Sequence, residues 1–249
     1  MVTVDLNSDL GESFGRYRIG KDEQVIKTVT SVNIACGFHA GDPDVMAKTV
    51  AEAEAAEIGI GAHPGFHDLQ DFGRRFIDIP AEEVQHLISY QVGALQGFTK
   101  NHRLHHVKPH GALYNAAARN HELAVAVCRG IQKVDSNLPL YGLAHSELIT
   151  AAKEVGLPYA QEVYGDRNYL PDGSLVPRSQ PNAVITDPEK IAKRTLNMIK
   201  DQAVTAIDGS RVSLITDTIC VHGDNEEALA IVRRLSTTLK TAGIGLKPF

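Results

Sequence analysis

The stretch Val32–Ala62, VNIACGFHAGDPDVMAKTVAEAEAAEIGIGA, contains a complete strand–helix–strand unit. It opens on the apolar run Val32–Cys36 and closes on a second one, Ile58–Ala62, and both runs are too short to form stable helices. Between them lies the predicted helix Asp42–Glu57, which opens on an N-cap aspartate followed by proline and carries apolar residues at helical spacing. This order predicts parallel strands joined by a right-handed crossover.

The same alternation continues along the rest of the chain. The further predicted strands are Val2–Leu6, Leu104–Val107, Leu138–Leu143, Tyr159–Val163 and Thr218–Val221. The further predicted helices are Pro80–Lys100, His121–Val134, Ser146–Glu154, Pro188–Asp201 and Asn225–Ala242. About seven such units without a linker or repeat favour one α/β domain, residues 1–249, built as a β/α barrel. We expect the long irregular stretch Gly165–Pro181 to be a binding loop or lid.

Composition and charge narrow the class of protein. The chain has 249 residues, 43% of them hydrophobic, and a net charge of −5. This balance gives no electrostatic attraction to nucleic acid or anionic membranes and favours a small-molecule substrate. We find no signal peptide and no apolar run long enough to span a bilayer. The three widely spaced cysteines, Cys36, Cys128 and Cys220, indicate reduced thiols in a cytoplasmic protein. A homo-oligomer is possible.

Polar motifs follow nearly every predicted strand. In parallel α/β folds, catalytic groups lie just past the carboxyl ends of the strands. A single motif of this kind would be an ordinary turn with a helix cap. The fold brings six such motifs to one end of the sheet, which predicts an active site there. The motifs are Asn7–Glu12, Gly37–Pro43, His63–Gly65, Lys108–Asn115, Tyr164–Tyr169 and His222–Asn225.

Histidines and carboxylates in these motifs could hold a divalent metal or divide acid and base roles. The groups in question are His39, His63, His110, His222, Asp9, Glu12, Asp42 and Asp224. None of the histidines has zinc-motif spacing, so the residue types alone leave both roles open. The metal candidates are Asp9, His39 and His63.

Cationic side chains near the same strand ends could bind anions. Lys108 follows an apolar strand, so we expect its stem to be buried. Its ammonium could stabilise developing negative charge, pair with a strand-end carboxylate, or do both. Arg74, Arg75 and Arg167 are candidates for holding an anionic group of the substrate.

Two further segments have the spacing of known ligand-binding motifs but lack a residue that each motif requires. The alternation of Asp5, Asn7 and Asp9 is similar to a calcium loop, but Leu10 occupies the position that requires glycine. We therefore interpret the alternation as inward-facing polar groups on one strand face. The segment Gly15–Lys21 has the spacing of a phosphate-binding loop, but an aspartate follows where serine or threonine would bind magnesium.

The motifs together resemble the LamB/YcsF family. The resemblance runs in order from Asp5 to the last helix and rests on Asp5–Glu12, Asn33–Pro43, Gly61–Gly65, Phe72–Arg75, Val107–Tyr114, Asp166–Arg167 and Cys220–Asp224. It implies a distorted seven-stranded, TIM-like β/α barrel of the glycoside hydrolase/deacetylase type. It also implies ATP-dependent cleavage of 5-oxoproline to glutamate together with two partners, the B and C subunits of 5-oxoprolinase. Ser8 replaces the family's usual cysteine, and Tyr164-Gly165 replaces a usual Phe-Ala pair.

The residues and the resemblance together predict the site and its cofactors. We expect catalytic roles for Asp9, Glu12, His39, His63, Lys108 and His110. We expect substrate binding by Asn7, Arg74, Tyr114, Asp166, Arg167, His222 and Asp224. ATP would be a co-substrate of the complex, and a divalent metal would be either Mg²⁺ with ATP or a bound transition metal. The alternatives are a metal-dependent deacetylase acting alone on a sugar amide and a non-catalytic subunit that binds the lactam.

Overall fold

A computed structural model describes residues 2–221 and 226–249. Seven parallel strands close into a barrel, because β1 pairs with both its chain neighbour and the last barrel strand. In order around the barrel they are β1 (Thr3–Leu10), β2 (Ser31–Ala35), β3 (Gly59–His63), β4 (His106–Val107), β5 (Leu140–Leu143), β6 (Tyr159–Tyr164) and β9 (Thr218–Cys220). The predicted α/β barrel is confirmed, and its distortion is visible in strand lengths that range from eight residues in β1 to two in β4.

Helices surround the barrel, and the connections between strands run through them. They are α1 (Asp22–Val25), α2 (Pro43–Ala55), α3 (Ala81–Gln96), α4 (Gly111–Ala117), α5 (His121–Gln132), α6 (Glu147–Val155), α7 (Pro188–Asp201) and α8 (Glu226–Thr241). The remaining strands are the antiparallel pair β7 (Ala203–Thr205) and β8 (Arg211–Ser213), and β10 (Gly245–Leu246), which pairs with the start of β1. No helix within the described part of the chain is long and apolar enough to cross a bilayer.

The first strand is longer than the sequence predicts. It continues past Leu6 to Leu10 because the polar side chains of this segment find partners inside the barrel. Asp5, Asn7 and Asp9 all point to the interior, as their alternation predicts. The strand therefore carries one carboxylate near its start and another at the end where the site lies.

The turn between β2 and α2 places the first histidine of the site. The Asp42 carboxylate accepts the N–H of Val45 as the helix N-cap, so Asp42 is structural rather than a ligand or base. Gly41 adopts φ +80° and lies so close to the backbone of Gly11 that a Cβ would be 3.0 Å from the Gly11 carbonyl oxygen. This close packing holds the residues after β2 against the end of β1.

Candidate active site

A cavity of about 740 Å³ opens at the carboxyl ends of the barrel strands. Its charged lining residues come from several connections that follow strands, from the turn after α4 and from the loop after β6. They are Asp9, Glu12, Arg74, Lys108, Arg119, Arg167 and Arg178. The volume is in the range of small-molecule sites, and it combines carboxylates with several cations.

Three histidines and one carboxylate form a compact cluster beside this cavity. One potential ligand atom from each of Glu12, His39, His63 and His110 lies within 4.8 Å of the others. The His39 and His110 rings stack with centroids 3.7 Å apart, and His63 meets both rings edge-on. Gly73 packs so closely that a Cβ there would lie 2.6 Å from the His39 Cβ.

Backbone carbonyls fix the orientation of two of these imidazoles. The Lys108 carbonyl accepts from His63 Nδ1 at 2.7 Å, and the Phe72 carbonyl accepts from His110 Nε2 at 2.8 Å. A neutral imidazole has only one N–H, so His63 Nε2 and His110 Nδ1 both carry lone pairs. These two nitrogens nevertheless face each other at 2.9 Å. Two lone pairs at this distance require a cation between them, either a proton or a metal ion.

The donor set is suited to a metal ion. Burial lowers the pKa of His110 to about 3 and also lowers that of His39, so neither ring gains a proton readily at neutral pH. Both ring nitrogens of buried His39 lack a hydrogen-bond partner, and its Nε2 lies 3.7 Å from Glu12 Oε1. Imidazoles anchored to carbonyls through their second nitrogen are typical metal ligands. The cluster therefore fits a divalent transition metal.

Lys108 forms the centre of a second cluster in the barrel interior. Its Nζ lies 2.9 Å from Asp9 Oδ1, 3.0 Å from Glu162 Oε1 and 2.9 Å from Cys220 Sγ. Burial opposes a charged lysine, but the neighbouring Asp9, Cys220 and Glu162 more than offset that effect and raise its pKa well above the usual value. These contacts favour the charged form of Lys108, which both pairs with carboxylates and lines the cavity.

Asp9 connects the two clusters. Its Oδ1 accepts hydrogen bonds from Asn33 and Lys108, while its Oδ2 lies 3.4 Å from His63 Nε2. The sequence predicts Asp9 among the metal candidates, whereas the structure places Glu12 and His110 in that group with His39 and His63. Asp9 is instead positioned between the histidines and the lysine.

The predicted substrate-binding residues have different positions. Arg74 lies over the Phe72 ring and lines the cavity together with Tyr114 and Arg167. The Arg167 guanidinium also donates to the Val176 carbonyl at 2.7 Å, so it shapes the loop after β6. That loop, the predicted Gly165–Pro181 segment, forms one wall of the cavity.

Two of the predicted residues lie outside the cavity lining, and two others are residues that the structure does not describe. Asn7 is fully buried and does not line the cavity, because its amide donates to Glu162 and Thr218 inside the barrel. Asp166 is also buried and lies outside the cavity lining. His222 and Asp224 lie outside the described residues.

Sequence reasoning missed Glu162 and Asn33. Glu162 lies within the predicted strand Tyr159–Val163, and Asn33 lies within Val32–Cys36, where the pattern predicts structural residues only. A signal was available, because a charged or amide side chain inside a short buried strand is costly unless it has partners. Glu162 contacts Lys108, and Asn33 donates to Asp9.

The segment Gly15–Lys21 does not form a phosphate-binding loop. The N–H of Gly15 donates to the carboxylate of Asp42, so a negative charge already occupies the place where a phosphate would bind. The segment also lies between β1 and the four-residue helix α1, without the long helix that a phosphate loop precedes. The structure therefore agrees with the rejection of this motif.

The sequence of this chain is similar to those of known proteins along nearly its whole length. The LamB/YcsF family model matches residues 4–249. The chain belongs to the LamB/YcsF family. A relative from Limosilactobacillus fermentum, the A subunit of 5-oxoprolinase, is 62% identical over 247 residues and covers 99% of each chain. A relative of the same name from Pyrococcus abyssi is 53% identical, covering 99% of this chain and 98% of its own.

Solved structures support the fold. The crystal structure of a lactam utilization protein from Thermus thermophilus superimposes with a TM-score of 0.94, at 42% identity and with complete coverage of both chains. A T48 deacetylase matches with a TM-score of 0.51 at 15% identity, covering 98% of this chain and 87% of that one. The second likeness shows that the barrel is shared with deacetylases.

Proposed function

We propose that this chain is the A subunit of an ATP-dependent 5-oxoprolinase, which cleaves 5-oxo-L-proline to L-glutamate while ATP is hydrolysed to ADP and phosphate. The observation that carries the proposal is the buried Lys108 paired with a partly exposed Asp9 beside a histidine–carboxylate cluster, at a cavity with four arginines in its lining. The relatives named for this activity match nearly the whole chain. The complex would also contain the B and C subunits as partners.

The chemistry explains why a lactam needs ATP. The lactam carbonyl is weakly electrophilic, and its nitrogen is a poor leaving group. Phosphorylation of the amide oxygen makes the ring carbon reactive toward water. In this proposal the partner subunits phosphorylate the lactam and this chain opens the activated ring, and a Gly15–Lys21 segment without the form of a phosphate-binding loop fits that division.

Opening the activated ring requires a proton at the ring nitrogen. Water adds to the ring carbon, which then carries a hydroxyl, the phosphoryloxy group and the nitrogen. If phosphate leaves, the lactam is regenerated and ATP is wasted. If the nitrogen is protonated, the carbon–nitrogen bond breaks and gives γ-glutamyl phosphate, which a second water hydrolyses to glutamate and phosphate. The site must therefore take a proton from water and return it to the nitrogen.

The residues at the cavity can divide this work. Asp9 takes the proton from water and passes it to the ring nitrogen, because it is the carboxylate that joins both clusters. The Lys108 ammonium stabilises negative charge that develops at the reacting oxygen. Arg74 and Arg167 bind the substrate carboxylate and the phosphoryl group.

The histidine cluster would hold a divalent metal through Glu12, His39, His63 and His110. Such an ion supplies Lewis-acid polarisation of a bound oxygen and lowers the pKa of a bound water.

Reconstitution tests the proposal. We expect the chain, mixed with B and C subunits, to release glutamate from 5-oxoproline only when ATP is present. Asp9→Asn should lower the turnover by about 100-fold or more while the variant still folds and binds its partners. ATP-independent removal of acetyl groups from N-acetyl sugars would favour the deacetylase alternative. Altered lactam affinity, without any hydrolysis of activated lactam, would favour the binding-subunit alternative.

A further inference from the structure

Glu162 is a fully buried carboxylate in β6 that has no role in the proposed reaction so far. Its Oε1 accepts from Asn7 Nδ2 at 3.0 Å and lies 3.0 Å from Lys108 Nζ. Its Oε2 accepts from the hydroxyl of Tyr114 at 2.7 Å and from that of Tyr164 at 2.9 Å. Four donors therefore surround one carboxylate, and three of the four residues line the cavity.

A carboxylate in this position is a poor choice for stability alone. Removing a carboxylate from water is costly, and well-packed apolar residues often stabilise a fold as well as a buried ion pair does. A buried polar group whose hydrogen bonds are all made instead fixes the geometry of its neighbours. The arrangement around Glu162 is thus suited to holding side chains in place.

The ammonium of Lys108 is held at three points. Its three closest partners are Asp9 on β1, Glu162 on β6 and Cys220 on β9, and the Asn7 side-chain oxygen lies farther away at 3.4 Å. These strands are neighbours around the closed barrel. If Glu162 lost its charge, the ammonium would be drawn toward the remaining carboxylate, Asp9.

We infer that Glu162 is a positioning residue of the ring-opening site, which holds the Lys108 ammonium and the Tyr114 and Tyr164 hydroxyls in their places at the cavity. The inference rests on the proposed function, because Lys108 acts there on the reacting oxygen. Glu162 itself does not line the cavity and acts through Lys108.

A double-mutant cycle in the reconstituted complex tests this inference. Glu162→Gln keeps the size of the side chain but removes the charge, and we expect kcat to fall by about 10- to 100-fold while KM changes by less than about twofold. Lys108→Met in the same assay removes the group through which Glu162 acts. In that background, Glu162→Gln should cost less than about twofold, because residues that act as a unit are not additive.

Asp5→Asn provides the matched control. It makes the same change of charge at a buried carboxylate of the same barrel, but Asp5 does not line the cavity. We expect it to alter thermal stability and to leave kcat unchanged. If Glu162→Gln does not fold, Glu162→Asp keeps the charge and withdraws the carboxylate by one methylene, and kcat should again fall without a change in KM.

The outcomes separate the inference from the proposed function. Equal losses of kcat from Glu162→Gln in the wild-type and Lys108→Met backgrounds would overturn the inference, and so would an unchanged kcat in every folded Glu162 variant. A wild-type complex that releases no glutamate with ATP would instead overturn the proposed function, and the inference with it.

Discussion

Two carboxylates on the same face of β1, Asp5 and Asp9, have opposite surroundings. Asp5 is almost fully buried and accepts hydrogen bonds from the hydroxyls of Thr30, Ser31 and Thr218 at 2.6 to 2.8 Å. Burial raises its pKa, although these hydrogen bonds act against the shift. Asp9 lies four residues further along, pairs with a lysine and opens on the cavity.

The difference shows what separates a structural carboxylate from a functional one in this barrel. Neutral hydroxyls donate hydrogen bonds to the Asp5 carboxylate at that end of the barrel interior. At the other end, Asp9 has a cation on one side and a histidine on the other, and its side chain is 16% exposed. We place Asp9 in the reaction because it is exposed to the cavity and has a charged partner. Position on the same strand face does not distinguish the two carboxylates.

Removing the cation at the Asp9 end should have the largest effect. We expect Lys108→Met to lower turnover in the reconstituted complex by about 10²- to 10³-fold, because it removes charge stabilisation at the reacting oxygen. It should also lower stability by about 3–5 kcal/mol, since it leaves buried carboxylates without their counter-ion. Lys48→Met is the control, because Lys48 pairs with Glu23 on the surface. Similar turnover in the two variants would contradict the role of Lys108.

The histidine cluster beside Asp9 should bind metal, while the histidines at the other end should not. We expect His39→Ala to weaken binding of Zn²⁺ or Mn²⁺ by about 100-fold in a calorimetric titration, because both nitrogens of His39 lack other partners. The control is His105→Ala, which removes a half-buried ring that contacts His106 outside the cluster. If the two variants bound metal equally well, the cluster would not be the metal site.

The Asp5 end should respond in stability and not in activity. We expect Asp5→Asn to change the free energy of unfolding by about 1–3 kcal/mol, because it replaces one of the two oxygens that accept from three hydroxyls with an N–H donor. Denaturant unfolding measures the change, and glutamate release measures activity. Loss of activity in a variant that remains folded would show that the two ends of the interior are coupled.

The smallest effect concerns a histidine outside the barrel interior. His121 is exposed and contacts Glu147 and Glu154, and these hydrogen bonds raise its pKa above 6.5. A raised histidine pKa stabilises the fold below the unfolded-state pKa, and this contribution disappears as the pH rises through the folded-state value. We therefore expect His121→Gln to lower the melting temperature slightly at pH 6 and not at pH 9. A difference that grows with pH would contradict this sign.

The sequence predicts the barrel fold and most of the residues at the end of the barrel that carries the site. Alternating strand and helix patterns predict the fold, because period and length are local properties of the chain. His39, His63 and His110 are predicted as one group because they follow different strands of a parallel sheet. Their carboxylate partners depend on loop geometry, which places Glu12 in the cluster and Asp9 Oδ2 3.4 Å from His63 Nε2.

The interior network could not be predicted from local pattern. The amide of Asn7 donates to Thr218, 211 residues away, and to Glu162, 155 residues away. The alternation on β1 predicts that Asn7 points inward, but it does not distinguish the cavity from the packed interior below it. The pattern therefore predicts that Asn7 binds the substrate. It does not distinguish Glu162 from an ordinary residue of a strand.

The most direct test of this account compares Asp9→Asn with Asp5→Asn in the reconstituted complex. Each variant removes one negative charge from the same face of the same strand. We predict that ATP-dependent glutamate release falls by about 100-fold or more for Asp9→Asn and stays at the wild-type rate for folded Asp5→Asn. Equal rates for the two variants, whether both high or both low, would contradict the assignment of the reaction to the Asp9 end of the barrel.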